Sequence, residues 1–124
     1  LVDQLAGLAG NYGTGLDQNE VVIPQILKRA EPPYATGCIG KWNIGFAVGS
    51  RPTERGFDEF VGQAAGNIDY VHHVYNGKHD LFRGTQELHR DGEYCTDLFA
   101  DAAIDFIARQ SRSGRPWFCY SVDS

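Results

Sequence analysis

Residues 34–45, YATGCIGKWNIG, decide how the rest of the chain is read. Small and apolar residues from Tyr34 to Ile39 lead into a glycine, which reads as a short strand ending at the glycines. Gly40 and Gly45 bracket a group made of Lys41, Trp42 and Asn43. Side chains alternate along an extended segment, so Lys41 and Asn43 fall on one side and Trp42 on the other. A glycine on either side lets backbone or ligand approach closely.

Upstream of this stretch, Val22, Ile23, Ile26, Leu27 and Ala30 recur at helical spacing. Lys28 and Arg29 occupy the expected last turn, where the helix dipole favours cations. Pro24 belongs in a first turn, so the predicted helix starts near Val21, and Glu31-Pro32-Pro33 stops it. Downstream, Leu98, Phe99, Ala102, Ala103, Phe106 and Ile107 form one apolar helical face, with Thr96 or Asp97 placed to cap it. SGRP at 113–116 closes that helix. The apolar run WFCYSV at 117–122 is then expected to be a strand buried on both faces. The order helix, strand, long loop, helix, strand predicts an α/β layer with a mostly parallel sheet.

Composition agrees with a globular chain. Of 124 residues, 42% are hydrophobic and 22% charged, enough of each for a core and a wetted surface. The net charge of −5 and the lack of a basic stripe argue against nucleic acid as a partner. No run of 18 apolar residues is present, so no membrane span is expected. Three widely spaced cysteines, Cys38, Cys95 and Cys119, form no CxxC pair and read as small buried hydrophobes. The first 18 residues, rich in glycine, read as a loop-like lead-in. A chain that opens at Leu1 and holds no methionine is expected to be an internal piece of something longer. Between Asn43 and Glu93 some fifty residues show no convincing periodicity, and a loop that long is expected to be functional or covered by other chain.

The chemistry concentrates at Lys41 and Asn43. Ligands of α/β sheets gather at the carboxyl ends of strands, so Lys41 is placed to offer a point charge to an anion, with the Asn43 amide beside it. Spacing alone leaves open the plainer reading of a solvated surface lysine.

YATGCIGKWNIG resembles the segment YATxxIGKWHLG of the type I sulfatases. The similarity continues through RPTERGFDEF, GNIDYVHH, DLFRGTQEL, YCTDLFADAAIDFI and RPWFCYSV, in family order, over about residues 16–122. Residues 1–124 are thus expected to be part of a sulfatase catalytic domain, with 19–124 the family-like segment. The resemblance implies an alkaline-phosphatase-like α/β sandwich. It also implies hydrolysis of a sulfate ester, of the sugar or aryl kind, through a formylglycine nucleophile and with a calcium ion. Relatives of this kind are secreted, periplasmic or lysosomal. By position Lys41 inherits contact with the sulfate and the leaving oxygen, and His73 matches a position near the substrate cleft. Asn43 stands where the family has a histidine; an amide donates a hydrogen bond but does not carry a proton near neutral pH.

The formylglycine motif C/S-x-P-x-R is absent. Ser50, Pro52 and Arg55 give a version one residue too long, better read as a turn in which Arg51 and Arg55 pair with nearby acids. His72, His73 and His79 with Asp69 and Asp80 match no metal-ligand spacing, and no metal ligand is assigned. As it stands the chain is expected to show no turnover. The alternatives are a phosphodiesterase or phosphonate hydrolase of the same superfamily, and a non-catalytic protein that binds sulfated glycans.

Overall fold

The computed structural model of the chain describes residues 15–123. Most of the glycine-rich lead-in, residues 1–14, lies outside them. The described elements are helix α1 (Ile23–Leu27), strand β1 (Ala35–Lys41), a 3-10 turn (Pro52–Glu54), β2 (Glu59–Gln63), β3 (Val74–Tyr75), β4 (Lys78–His79), β5 (Phe82–Arg83), β6 (Gln86–Glu87), helix α2 (Cys95–Ser113) and β7 (Trp117–Val122). One sheet has the order β6-β5-β2-β1-β7. Its three longest strands are parallel, with β1 at their centre, and β5 and β6 add an antiparallel hairpin beside β2. The expected α/β class and the parallel sheet are therefore both present.

The strand predicted from YATGCIGKW is β1, the most buried element of the sheet. Two apolar layers cover its faces. On one side Ile39, Val61 and Leu81 pack against Cys95 and Phe99 of α2; on the other, Cys38, Trp42, Phe46, Phe57, Phe60 and Phe82 form an aromatic layer. Helix α2 follows the apolar face read from the sequence, burying Phe99 and Phe106, and ends at Gly114 with φ 72°, a left-handed cap that suits glycine. Its start differs from expectation. The N-cap is Tyr94, without a side-chain cap, so neither Thr96 nor Asp97 caps it; Asp97 instead sits in the first turn, where the dipole favours an acid.

Several expectations are corrected. Helix α1 has only five residues, with Lys28 as its C-cap rather than in a last turn, and it leaves Ile23 and Ile26 exposed. The stretch 43–93 is no long loop, because it holds β2 and two short hairpins. Strand β2 is buried on both faces from Phe60 to Gln63, which erases the alternation that reveals a strand. Strand β7 was expected to be buried on both faces. It has one hydrogen-bonded neighbour among the described residues, and Trp117 and Tyr120 are exposed. Arg51 does reach Glu54, at 3.9 Å. Among the described residues Arg55 pairs with no acid; it is buried and donates to the backbone carbonyls of Asp17 and Glu20.

Candidate active-site edge

The carboxyl ends of β7, β1 and β2 meet at one edge. A Cβ on Gly40 would lie 2.0 Å from the Val122 carbonyl oxygen, and one on Gly62 would lie 1.9 Å from the Gly40 carbonyl oxygen. Only glycine permits this approach, and Gly40 also has φ 95°, which L side chains rarely adopt. Lys41 follows as the last residue of β1, in register with Gln63 of β2.

Backbone pairing carries on past the strand. Trp42 N–H donates to the Gln63 carbonyl at 3.0 Å, and Asn43 N–H to the Ala64 carbonyl at 3.1 Å. Trp42 belongs to the aromatic layer, meets Phe57 edge-on at 6.0 Å, and donates its indole N–H to the carbonyls of Gly45 and Ser50. This anchor fixes the residue between Lys41 and Asn43. Asn43 has φ 55°, a left-handed conformation in which asparagine is enriched among non-glycine residues. Gly66 leaves room for its amide, since a Cβ there would come within 3.1 Å of Asn43 Oδ1.

Lys41 and Asn43 are half-buried. Among the described residues neither side chain makes a hydrogen bond or ion pair, whereas Lys28, Arg90 and Arg109 are each bound to carboxylates. The edge thus presents an unpaired ammonium and an unpaired amide two residues apart.

His73 lies behind this edge. Asp69 shapes its loop, accepting the N–H groups of Val71 at 2.9 Å and His72 at 2.6 Å; these bonds, that of His72 foremost, hold the Asp69 carboxyl below the usual range. His73 has φ 56° and a fully buried ring whose Nε2–H donates to the Glu93 carbonyl at 2.9 Å. The other ring nitrogen, Nδ1, is buried with no partner among the described residues. A contact from His73 to a substrate would therefore have to reach Nδ1. Its backbone connects to the edge through Asp80, whose N–H donates to the His73 carbonyl at 2.9 Å and whose carboxylate binds the loop after β2. Asp80 and Gln63 escape a reading by motif, because a buried hydrogen-bonding role leaves no fixed spacing; the one hint is an acid directly before the apolar pair Leu81-Phe82.

Among the described residues none fits a metal centre or a formylglycine. Among the described residues no group of three or more His, Cys, Asp or Glu could hold an ion. Ser50, in the over-long motif, is buried and within hydrogen-bond reach of Gln18 Nε2 and the Leu16 carbonyl. Burial pushes the thiols of Cys38 and Cys95 up to about 12, with smaller contributions from Cys119 and Asp123 respectively, so both stay protonated and unreactive. Cys119 is raised in the same direction by burial. No helix among the described residues is long and apolar enough to cross a membrane.

Comparison with known proteins identifies the family. A family model described as Sulfatase matches residues 4–122. The N-acetylgalactosamine-6-sulfatase of Canis lupus familiaris is 31% identical over 121 residues, covering 86% of this chain and 22% of the relative. Arylsulfatase G of Homo sapiens is 42% identical over 137 residues, covering 86% of this chain and 25% of the relative. The crystal structure of Ps i-CgsB superposes with a TM-score of 0.75 at 25% identity, over 92% of this chain and 30% of that one. The chain therefore spans about a quarter or less of the curated relatives it matches. With nearly its whole length matched in sequence and its parallel sheet matched in structure, the chain belongs to the sulfatase family.

Proposed function

We propose that these residues form one wall of the active site of a sulfate ester hydrolase, with Lys41 as the anion-binding cation and Asn43 as a hydrogen-bond donor beside it. One observation carries the reading. The central parallel strand of a sulfatase-family chain ends in an ammonium that no carboxylate among the described residues neutralises, at the edge where α/β sheets collect ligands. A sulfate ester is anionic, and charge grows on the leaving oxygen as the sulfur–oxygen bond breaks. A fixed cation at that oxygen stabilises the transition state more than the ground state. Asn43 can orient a hydroxyl or an ester oxygen by donating from Nδ2, but it cannot take and return a proton. Its left-handed backbone, shared with His73, is a conformation that tends to cluster at functional sites.

The calcium ion and the formylglycine that accompany sulfatases find no ligand set and no precursor motif among the described residues. In this reading other parts of the protein supply them, and no step is assigned to them here. The name of the relative N-acetylgalactosamine-6-sulfatase supports a sulfated sugar as the substrate class. The substitution of Asn43 for a proton-carrying residue favours one second reading, a protein that binds sulfated glycans without cleaving them.

The deciding experiment is hydrolysis of an aryl sulfate by the full-length protein carrying Lys41→Ala. The expected result is a fall in kcat/KM of about 10²-fold, the scale of losing one transition-state charge partner. Unchanged turnover would remove Lys41 from the site. A wild-type protein that binds sulfated glycan but never releases sulfate would establish the second reading.

A further inference from the structure

We propose that Asp80 is a positioning residue for the Lys41–Asn43 edge, an inference that rests on the hydrolase reading above. Asp80 is fully buried, and its two carboxylate oxygens grip consecutive backbone amides: Oδ1 accepts Ala64 N–H at 3.0 Å and Oδ2 accepts Ala65 N–H at 2.8 Å. Those amides belong to the turn that leaves β2 at its carboxyl end. The same turn supplies the carbonyls that hold the edge, Gln63 for Trp42 N–H and Ala64 for Asn43 N–H. Asp80 is thus one residue's backbone away from Asn43, acting through Ala64.

The arrangement answers a local need. Beyond Lys41 only the two bonds from Trp42 and Asn43 continue the β1–β2 pairing, and Asn43 must hold a left-handed backbone with its amide directed past Gly66. A turn made of Ala64 and Ala65 has no polar side chain with which to fix itself. Among the described residues, Gln63 offers only a 3.4 Å bond from Nε2 to the Ala65 carbonyl, and its Oε1 is buried without a partner. A carboxylate acceptor makes each amide bond shorter and roughly twice as strong as a neutral one. In turn, Asp80 is held from behind by its own N–H on the His73 carbonyl. The clamp therefore ties the loop of His73, the turn after β2 and the Lys41–Asn43 segment into one hydrogen-bonded unit. Displacements of an ångström at a reacting group are enough to cost about 10²-fold in rate.

The test compares the wild-type full-length protein with Asp80→Asn, which keeps the shape and turns one acceptor into a donor facing a backbone N–H. Hydrogen–deuterium exchange is followed in peptides covering residues 42–45 and 63–66, with residues 99–110 of α2 as the internal reference. The expected result is exchange at least tenfold faster in the first two and unchanged in the third. With an aryl sulfate substrate, kcat falls 10- to 100-fold while KM stays within twofold. Unchanged exchange at 42–45, or equal acceleration through α2, would overturn the proposal, as would an equal rise in KM with kcat intact. Should the variant not fold, the wild-type protein decides: Ala64 and Ala65 amides that exchange as fast as exposed turn amides would overturn it, and protection matching β2 would support it. The exchange measurement needs no turnover, so a wild-type protein inactive on every sulfate ester would sink the hydrolase reading separately.

Discussion

Replacing Gly62 with alanine tests the close approach on which the edge depends. The added Cβ would lie 1.9 Å from the Gly40 carbonyl oxygen and within 2.9 Å of the Gly40 carbonyl carbon and nitrogen. These are backbone atoms of the central strand, so no rotamer change relieves the overlap. A carbon–oxygen contact sits at about 3.3 Å or more, so β1 and β2 would have to part locally by about 1.4 Å. Overpacking of this kind costs about 1–3 kcal/mol, and a loosened ladder bond adds about 1 kcal/mol. The expected loss is therefore about 3 kcal/mol, or a fall in Tm of about 12 °C for a domain of this size. Gly114→Ala is the control. Its φ is 72° and a Cβ there meets nothing within 4 Å, so it carries only the left-handed backbone cost of about 1 kcal/mol. Thermal unfolding followed by circular dichroism measures both. If Gly62→Ala melts no lower than Gly114→Ala, the strands are not in contact as described, and the argument that glycine sets the geometry of this edge fails.

Two further outcomes follow from the site and the core. Asn43→Gly keeps the left-handed backbone and deletes the amide, so its stability should stay within about 1 kcal/mol of wild type while kcat on an aryl sulfate drops about tenfold; an unaltered kcat would remove the amide from the mechanism. Burial pushes the Cys38 thiol up to about 12 from an ordinary value of 9.0. Above pH 9 the unfolded chain therefore releases this proton while the folded chain keeps it, and folding stability falls as pH rises from about 9 towards 12. Its slope is at most about 1.4 kcal/mol per pH unit. Urea unfolding at pH 8 and 10.5 should show a smaller decline in Cys38→Ala than in wild type, and equal declines would refute the assignment.

The sequence announces the elements whose burial is one-sided or whose ends are marked. Helix α2 was legible from its spaced apolar face and Gly114, and β1 from a short apolar run ending at glycines. Strand β2 was not, because Phe60, Val61 and Gln63 are all buried and no alternation survives. Strand β7 misled in the opposite sense, since a continuous apolar run looks interior whatever actually covers it. At the site, Lys41 and Asn43 could be picked out through motif similarity. The hydrogen bonds around them could not, because Asp80, Ala64 and Asn43 meet across 16 and 21 positions of chain. Arg55 shows the same limit: its partners are main-chain carbonyls, which carry no residue-type signal.

The insertion of Trp42 between the two candidate reactive residues has a consequence for variation. On the proposed reading, a three-residue stretch serves the aromatic layer with its middle member and the chemistry with its outer two. Substitutions in the aromatic layer, at Phe57 or Phe60, should shift the indole and through it the ammonium and the amide. In a scan of all single replacements, core damage and lost activity should therefore coincide on this face of the sheet. Beneath α2, where Phe106 packs far from Lys41 along β1 at Gly37, the two effects should separate. Inherited loss of function at such aromatic positions would then be a defect of placement as much as of folding, and a compound that merely raises the melting temperature would not restore it.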